Sequence, residues 1–105
     1  MDATTLLAQK RTEIENLCSK YGVTRLRLFG SALTADWDPA KSDIDFAAEF
    51  NDPPDGINRF QQYFGLLVEM EQVLKSKVDL VDWNAVTKAH FKEHVDRNAV
   101  TWYAA

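Results

Sequence analysis

Three aspartates lie inside strand-like apolar segments of this 105-residue chain, and they constrain its fold more than any other feature. Asp43 and Asp45 flank Ile44 at the start of one apolar run, and Asp79 lies within the short run 78–81. A carboxylate in such a segment is costly to bury unless a cation offsets its charge. Residues two apart on an extended strand point to the same face, so Asp43 and Asp45 are predicted to share a face.

The residue types at these positions indicate a particular chemistry. If Asp79 lies on a neighbouring strand, the three carboxylates form an oxygen-only site suited to hard divalent cations, above all Mg²⁺. Gly30-Ser31 ends another apolar strand, where backbone N–H groups and a hydroxyl can hold a phosphate oxygen. A metal next to a phosphate is the arrangement used in phosphoryl or nucleotidyl transfer.

Length and composition narrow the class of protein further. The length of 105 residues predicts one domain over residues 1–105. A net charge of −4 argues against nucleic-acid binding through bulk charge, but it permits small, metal-chelated nucleotides. The single cysteine, Cys18, cannot form an internal disulfide, which fits a reducing cytoplasm. Since no apolar run approaches the roughly 18 residues that span a bilayer, we expect a cytoplasmic protein with no membrane association.

Apolar spacing predicts three main helices. The first runs over about residues 6–21 and ends at Gly22, and a short helix is expected within residues 31–38. The second main helix runs over about residues 57–76, and Asn84 is the predicted N-cap of the third. The predicted apolar stripe of the second helix comprises Ile57, Phe60, Phe64, Leu67, Glu71 and Leu74.

Four strands are predicted between these helices. They cover residues 23–29, about 43–50, 78–82 and 99–103. In the second strand the core face comprises Ile44, Phe46, Ala48 and Phe50, and the opposite face comprises Asp43, Asp45, Ala47 and Glu49. The resulting order of elements predicts an α/β (α+β) fold with one mixed β-sheet backed by helices.

The ordered motifs resemble the signature of the minimal nucleotidyltransferases, a family of the DNA polymerase beta-like superfamily. That signature is a strand ending in Gly-Ser, a spacer, Asp-x-Asp on the next strand, and a third Asp on a later strand. Here these elements are Gly30-Ser31, Asp43-Ile44-Asp45 and Asp79, and the resemblance covers nearly the whole chain. It implies the nucleotidyltransferase fold.

The resemblance also implies a role for each of these residues. Asp43 and Asp45 would bind two Mg²⁺ ions, and Asp79 would bind the ion that activates the acceptor hydroxyl. Gly30 and Ser31 would hold the terminal phosphates of the nucleotide. The implied activity is Mg²⁺-dependent transfer of a nucleoside monophosphate, most simply AMP, from ATP or another NTP to a hydroxyl acceptor.

A protein partner is implied in the same way. Members of the family are often paired with a small, all-helical HEPN toxin, for which the nucleotidyltransferase is the antitoxin. Some members transfer AMP to a tyrosine of that toxin. The residues themselves leave the acceptor, the base preference and the oligomeric state open, so a homo-oligomer remains an alternative to a monomer.

The chain departs from the family pattern in two places. Thr34 stands where many members carry an Arg that faces the nucleotide phosphates, and the spacer of residues 32–42 is slightly longer than usual. Thr34 in place of the Arg favours an alternative function, a non-catalytic binding module that neutralises a partner by contact alone. The intact Asp43, Asp45 and Asp79 favour the enzyme, because binding alone requires no acidic cluster.

Several other residues have two interpretations. His90 and His94 belong to an H-x-x-E-H pattern that can bind Zn²⁺, but few residues remain to supply a third ligand, so two exposed histidines are expected. Trp37 can stack on a base, although packing over its loop is preferred. Arg25 and Arg27 are expected to form a solvent-facing pair, with phosphate contact as the alternative. Cys18 is predicted to be a small core residue.

Overall fold

The computed structural model describes residues 2–105. The helices are α1 (Ala3–Gln9), α2 (Arg11–Lys20), α3 (Arg59–Leu74) and α4 (Ala89–Asn98). The strands are β1 (Val23–Phe29), β2 (Ile44–Phe50), β3 (Val78–Asp82) and β4 (Val100–Ala104). Short 3₁₀ helices cover Gly30–Leu33 and Trp83–Ala85. None of the helices in residues 2–105 has the length and hydrophobicity needed to cross a bilayer.

The four strands form one mixed sheet in the order β3-β2-β1-β4. Strand β1 is antiparallel to both β2 and β4, whereas β2 and β3 are parallel. A parallel pair needs a crossover connection, and α3 provides it between β2 and β3. The predicted mixed sheet backed by helices is therefore confirmed, and each strand begins and ends within one residue of its predicted bounds.

The two faces of the sheet carry cores of different size. The main core lies beneath α1, α2 and α3, and its sheet residues include Leu26, Leu28, Ile44 and Phe46. A smaller core on the opposite face comprises Phe29, Ala47 and Val95 of α4. Because side chains alternate along a strand, Asp45 lies on the same face of β2 as Ala47.

The predicted opening helix is wrong in one respect, because it is divided at Lys10. The backbone of Lys10 has φ −106° and ψ 16°, outside the helical region, and it separates α1 from α2. Ala3 and Leu7 of α1 are buried, and α1 packs on the 3₁₀ helix after β1. Helix α2 packs instead on α3 and β1. A straight helix cannot follow both surfaces, so the chain bends between them.

The predicted apolar stripe of α3 is wrong in part: Leu74 is buried and Ile57 and Leu67 pack against the main core, but Phe60 and Phe64 do not. The buried residues are Gln62, Leu66, Met70 and Leu74, whereas Phe60 and Phe64 are 68% and 44% exposed. Gln62 is accommodated in the core because its side-chain amide donates to the carbonyl oxygens of Tyr21, at 2.8 Å, and Asn51, at 3.0 Å. A prediction from apolar residues alone does not consider a Gln for the core, so it assigned the buried face of α3 to a neighbouring row of residues.

Asn84 is not the N-cap of α4, contrary to the prediction. It lies in the second 3₁₀ helix. Its side chain accepts from the backbone N–H of Phe50 at 2.9 Å and donates to the carbonyl oxygen of Phe50 at 3.2 Å. Helix α4 begins later, at Ala89, after Lys88, which makes no side-chain cap. The amide of Asn84 therefore pairs with the end of β2 as a neighbouring strand would.

Candidate active site

The structure brings two of the predicted carboxylates together directly. Asp45 on β2 and Asp79 on β3 are register partners in the parallel pair. Asp45 is half-buried and Asp79 is exposed. Asp43 is exposed and lies immediately before β2, at the same end of the sheet. Parallel pairing of two strands that each carry an Asp near their first residue places these side chains at one edge of the fold.

The electrostatics of Asp45 show that the three carboxylates influence one another. Burial, followed by the negative charges of Asp79 and Asp43, raises the pKa of the Asp45 carboxyl from 3.8 to about 6. Desolvation and like charges both disfavour the ionised form of a carboxyl group. The site therefore favours either a proton on Asp45 or a cation among the three side chains.

Gly30 lies against Asp45, and its position favours glycine. Its φ of +75° is in the left-handed region, which side chains rarely adopt. A Cβ atom at Gly30 would collide with Oδ2 of Asp45. The preceding residue, Phe29, is the register partner of Asp45 in the antiparallel β1–β2 pair. The Gly-Ser turn is thus packed directly on the Asp-x-Asp strand.

Thr34 closes the turn that begins at Gly30. Its backbone N–H donates to the carbonyl oxygen of Ser31 at 2.9 Å, and its hydroxyl donates to the same oxygen at 2.8 Å. Its own hydroxyl accepts from the backbone N–H of Asp36 at 3.3 Å. Ser31 is half-buried and Thr34 is exposed. Thr34 therefore stabilises the turn through hydrogen bonds and brings no positive charge to it.

The carboxylates fit a hard divalent cation in donor type and in charge. All their donor atoms are oxygens, which Mg²⁺ prefers. Burial raises the pKa of Asp45 most, and the negative charges of Asp79 and Asp43, which a cation would offset, raise it further. Within residues 2–105, no three His, Cys, Asp or Glu side chains are already gathered into a metal-binding group. Ligation by all three carboxylates therefore requires side-chain rotation at the exposed Asp43 and Asp79.

Trp37 packs in the core, as the preferred interpretation predicted. Its side chain is 6% exposed and belongs to the main core, so its ring does not offer a face to a base. Its indole N–H donates to the carbonyl oxygen of Asp43 at 3.3 Å. Sequence reasoning missed this contact, and the only available signal was a Trp in the short loop that precedes the Asp-x-Asp motif.

Arg27 does not face solvent, contrary to expectation. It is 5% exposed, and its Nη1 donates to Asp96 of α4 at 2.9 Å. The guanidinium also lies over the ring of Trp83, 4.5 Å from its centroid. Arg25 pairs with Glu49 on the same face of the sheet. Helix α4 buries Arg27. The alternation of side chains along β1 could not predict this, because it does not say which element packs on each face of the sheet.

The remaining candidates have simple environments. Cys18 is fully buried, and burial raises the pKa of its thiol to about 12, which agrees with the predicted core role. His90 and His94 are exposed on α4, and the side chain of Asn98 donates to the carbonyl oxygen of His94 at 2.9 Å. No third side chain within residues 2–105 forms a metal-binding group with these two histidines.

A mixed sheet with a Gly-Ser turn packed on an Asp-x-Asp strand defines the nucleotidyltransferase class of α/β proteins. The comparison with family models agrees with this class. The chain belongs to the family described as "Polymerase beta, Nucleotidyltransferase", whose model matches residues 12–104. None of the curated proteins compared with the chain matches it significantly in sequence.

Three solved structures illustrate the similarity. A candidate minimal nucleotidyltransferase is 28% identical with a TM-score of 0.75, and the alignment covers 95% of each chain. A toxin–antitoxin crystal structure with AMP-PNP is 22% identical with a TM-score of 0.67, covering 90% of this chain and 73% of that one. A complex of tri-AMPylated Shewanella oneidensis HEPN toxin with MNT antitoxin is 21% identical with a TM-score of 0.63, covering 93% and 72%. The last two establish the shared fold alone.

Proposed function

We propose that this chain is a Mg²⁺-dependent nucleotidyltransferase that moves a nucleoside monophosphate, most simply AMP, from an NTP to a hydroxyl acceptor. The observation that carries the proposal is the pairing of Asp45 with Asp79 directly beside the Gly30-Ser31 turn. This arrangement places oxygen ligands for a cation next to a turn suited to phosphate. A purely structural role does not explain why a half-buried carboxylate, that of Asp45, lies beside the two further carboxylates of Asp43 and Asp79.

Each site residue has a defined part in this proposal. Asp43, Asp45 and Asp79 hold Mg²⁺, which, when bound, offsets the charge that develops on the attacking and leaving oxygens. Gly30 permits close approach of the turn to the Asp-x-Asp strand, and Ser31 holds a phosphate oxygen. Asp45, whose pKa is raised to about 6, must be deprotonated to act as a ligand. Because protons and Mg²⁺ compete for this carboxylate, the Mg²⁺ concentration needed for half-maximal activity is expected to rise as the pH falls.

The proposed acceptor is a tyrosine hydroxyl on a small helical partner of the HEPN type. The support is indirect, because a structural neighbour of this chain is a complex of a tri-AMPylated HEPN toxin with an MNT antitoxin. A second neighbour is a toxin–antitoxin structure with AMP-PNP. On this proposal the chain acts as the antitoxin of a toxin–antitoxin pair.

One observation favours a second candidate function, a binding module that neutralises its partner by contact. Thr34 is occupied in stabilising the Gly-Ser turn, and it supplies no cation where related proteins often have an Arg. A nucleotide would therefore be held less strongly than in such relatives. The two functions differ in whether neutralisation of the partner depends on Asp43 and Asp45.

The test is to incubate the protein with Mg²⁺, labelled ATP and the proposed helical partner of the HEPN type. Label on the partner and release of pyrophosphate are both followed. Asp43→Asn and Asp45→Asn should abolish both signals, whereas the control Asp55→Asn, in an exposed loop, should leave them unchanged. If no label moves with any NTP and both site variants still neutralise the partner, the binding module replaces the enzyme.

A further inference from the structure

Asp43 is the least constrained of the three carboxylate residues. It is exposed and precedes β2, so it lies outside the paired strands of the sheet. The next residue, Ile44, is the first one of β2 that is bonded to the neighbouring segment. Its backbone N–H donates to the carbonyl oxygen of Lys77, just before β3, at 2.9 Å. A ligand on unconstrained backbone loses conformational entropy when it binds a cation, which weakens binding.

The segment before Asp43 is a compact turn. The backbone N–H of Asp38 donates to the Ser42 hydroxyl at 3.1 Å, and the backbone N–H of Ser42 donates to the Asp38 carbonyl oxygen at 2.7 Å. The Asp38 carboxylate accepts from the backbone N–H of Ala40 at 2.9 Å. These bonds make residues 38–42 a unit held together locally. They do not attach that unit to the core.

Trp37 supplies that attachment. Its ring is buried in the main core, and its indole N–H donates to the Asp43 carbonyl oxygen at 3.3 Å, across the base of the turn. On one side the ring lines an open pocket of about 260 Å³ together with Leu6 and Leu74. The hydrogen bond therefore ties the backbone of Asp43 to a ring that the main core holds in place.

We propose that Trp37 is a positioning residue, whose indole N–H fixes the backbone of Asp43 beside the shared cation site, so that only the Asp43 side chain has to rotate for its carboxylate to bind the cation. The inference rests on the proposed function, since it assumes that Asp43 is a ligand. Trp37 itself touches neither nucleotide nor metal. Its contribution is to lower the entropy that Asp43 loses on binding, as hydrogen-bonded partners of metal ligands do elsewhere.

The test compares Trp37→Phe, which keeps an aromatic ring but loses the N–H donor, with Trp102→Phe. Trp102 is half-buried on β4 and serves as a matched change away from the site. Binding of Mg²⁺ with the non-reacting analogue α,β-methylene-ATP is measured by calorimetry. Trp37→Phe should weaken binding about tenfold, and it should accelerate hydrogen exchange at the Ile44 amide. Trp102→Phe should change neither quantity.

The outcomes separate this inference from the proposed function. If Trp37→Phe lowers the melting temperature but binds the Mg²⁺ complex as Trp102→Phe does, Trp37 has only a structural role and the inference is wrong. If the wild-type protein binds no Mg²⁺ complex, the proposed function and the inference both fail. Should Trp37→Phe not fold, a benzothienylalanine at position 37, made by chemical synthesis, removes only the N–H donor and is judged by the same two measurements.

Discussion

Asp45 on β2 lies directly opposite Asp79 on β3 in the parallel register of the sheet. Two carboxylates at paired positions repel each other, and Asp43 adds to the negative charge acting on Asp45. The arrangement costs stability unless a proton or a cation is present. This cost links the proposed chemistry to folding, so part of the function can be tested without an acceptor.

The first prediction concerns the stability of the metal-free protein as pH changes. The pKa of Asp45 is raised in the folded state from 3.8 to about 6. Its contribution to stability is therefore fully present below about pH 4 and is lost as pH rises through 6. Asp45→Asn removes this loss and should be more stable than wild type at pH 8 by about 1 kcal/mol, after allowance for solvent screening.

Urea unfolding in EDTA at pH 4 and pH 8 measures this difference. The advantage of Asp45→Asn should disappear at pH 4, where Asp45 of the wild type is protonated in the folded state. Asp55→Asn, in an exposed loop, is the control. An Asp45→Asn protein that is less stable than wild type at pH 8 would show that repulsion does not dominate at this position.

The second prediction concerns the close approach of Gly30 to Asp45. Gly30→Ala combines a φ of +75° with a collision between the new Cβ and Oδ2 of Asp45, so it should cost about 2 kcal/mol. Gly56→Ala is a matched control, because Gly56 has φ +93° but nothing lies within 4 Å of the added Cβ. It should cost only the backbone strain, about 1 kcal/mol.

A double-mutant cycle separates strain from collision at Gly30. In the Asp45→Ala background the carboxylate is absent, so Gly30→Ala should cost about 1 kcal/mol less than in wild type. Chemical denaturation gives each free energy of unfolding. If Gly30→Ala costs the same free energy of unfolding in the two backgrounds, the Asp45 carboxylate does not restrict which side chain fits at position 30.

The third prediction concerns Thr34. This residue is exposed at the end of the Gly-Ser turn, and Thr34→Arg would add a guanidinium able to make a bidentate phosphate contact. We expect several-fold tighter binding of Mg²⁺-ATP, measured by calorimetry. Thr34→Ala is the comparison, because it removes the hydroxyl bond to Ser31 without adding charge. Weaker binding by Thr34→Arg than by Thr34→Ala would place the nucleotide elsewhere.

The fourth prediction concerns the exposed histidines of α4. The double change His90→Ala with His94→Ala should leave Mg²⁺-ATP binding unaltered, because both side chains are exposed on α4 and neither belongs to the proposed carboxylate site. Metal analysis of the purified wild type by mass spectrometry should find no stoichiometric zinc. One tightly held Zn²⁺ per chain, absent from the double variant, would instead support the metal site suggested by the H-x-x-E-H pattern.

The pattern of neighbouring residues was sufficient to predict the strands and to select the candidate site residues. Alternation along β1 and β2 and the short apolar run of β3 are properties of neighbouring residues, so each was predicted within one residue. The Gly-Ser and Asp-x-Asp motifs are likewise local. Their role in metal and nucleotide binding remains a prediction.

Tertiary contacts decided what local pattern could not. The buried face of α3 depends on Gln62, whose amide is satisfied only by the distant carbonyls of Tyr21 and Asn51. The burial of Arg27 depends on Asp96 of α4, 69 residues later in the chain. The fold supplies hydrogen-bond partners for the Gln62 amide. Arg27 is held by one ion pair and by the ring of Trp83, and its Nε and Nη2 have no hydrogen-bond partner within residues 2–105. At the site, the residue order specifies which carboxylates are present, but their proximity depends on the long-range parallel pairing of β2 with β3, which brings Asp45 opposite Asp79.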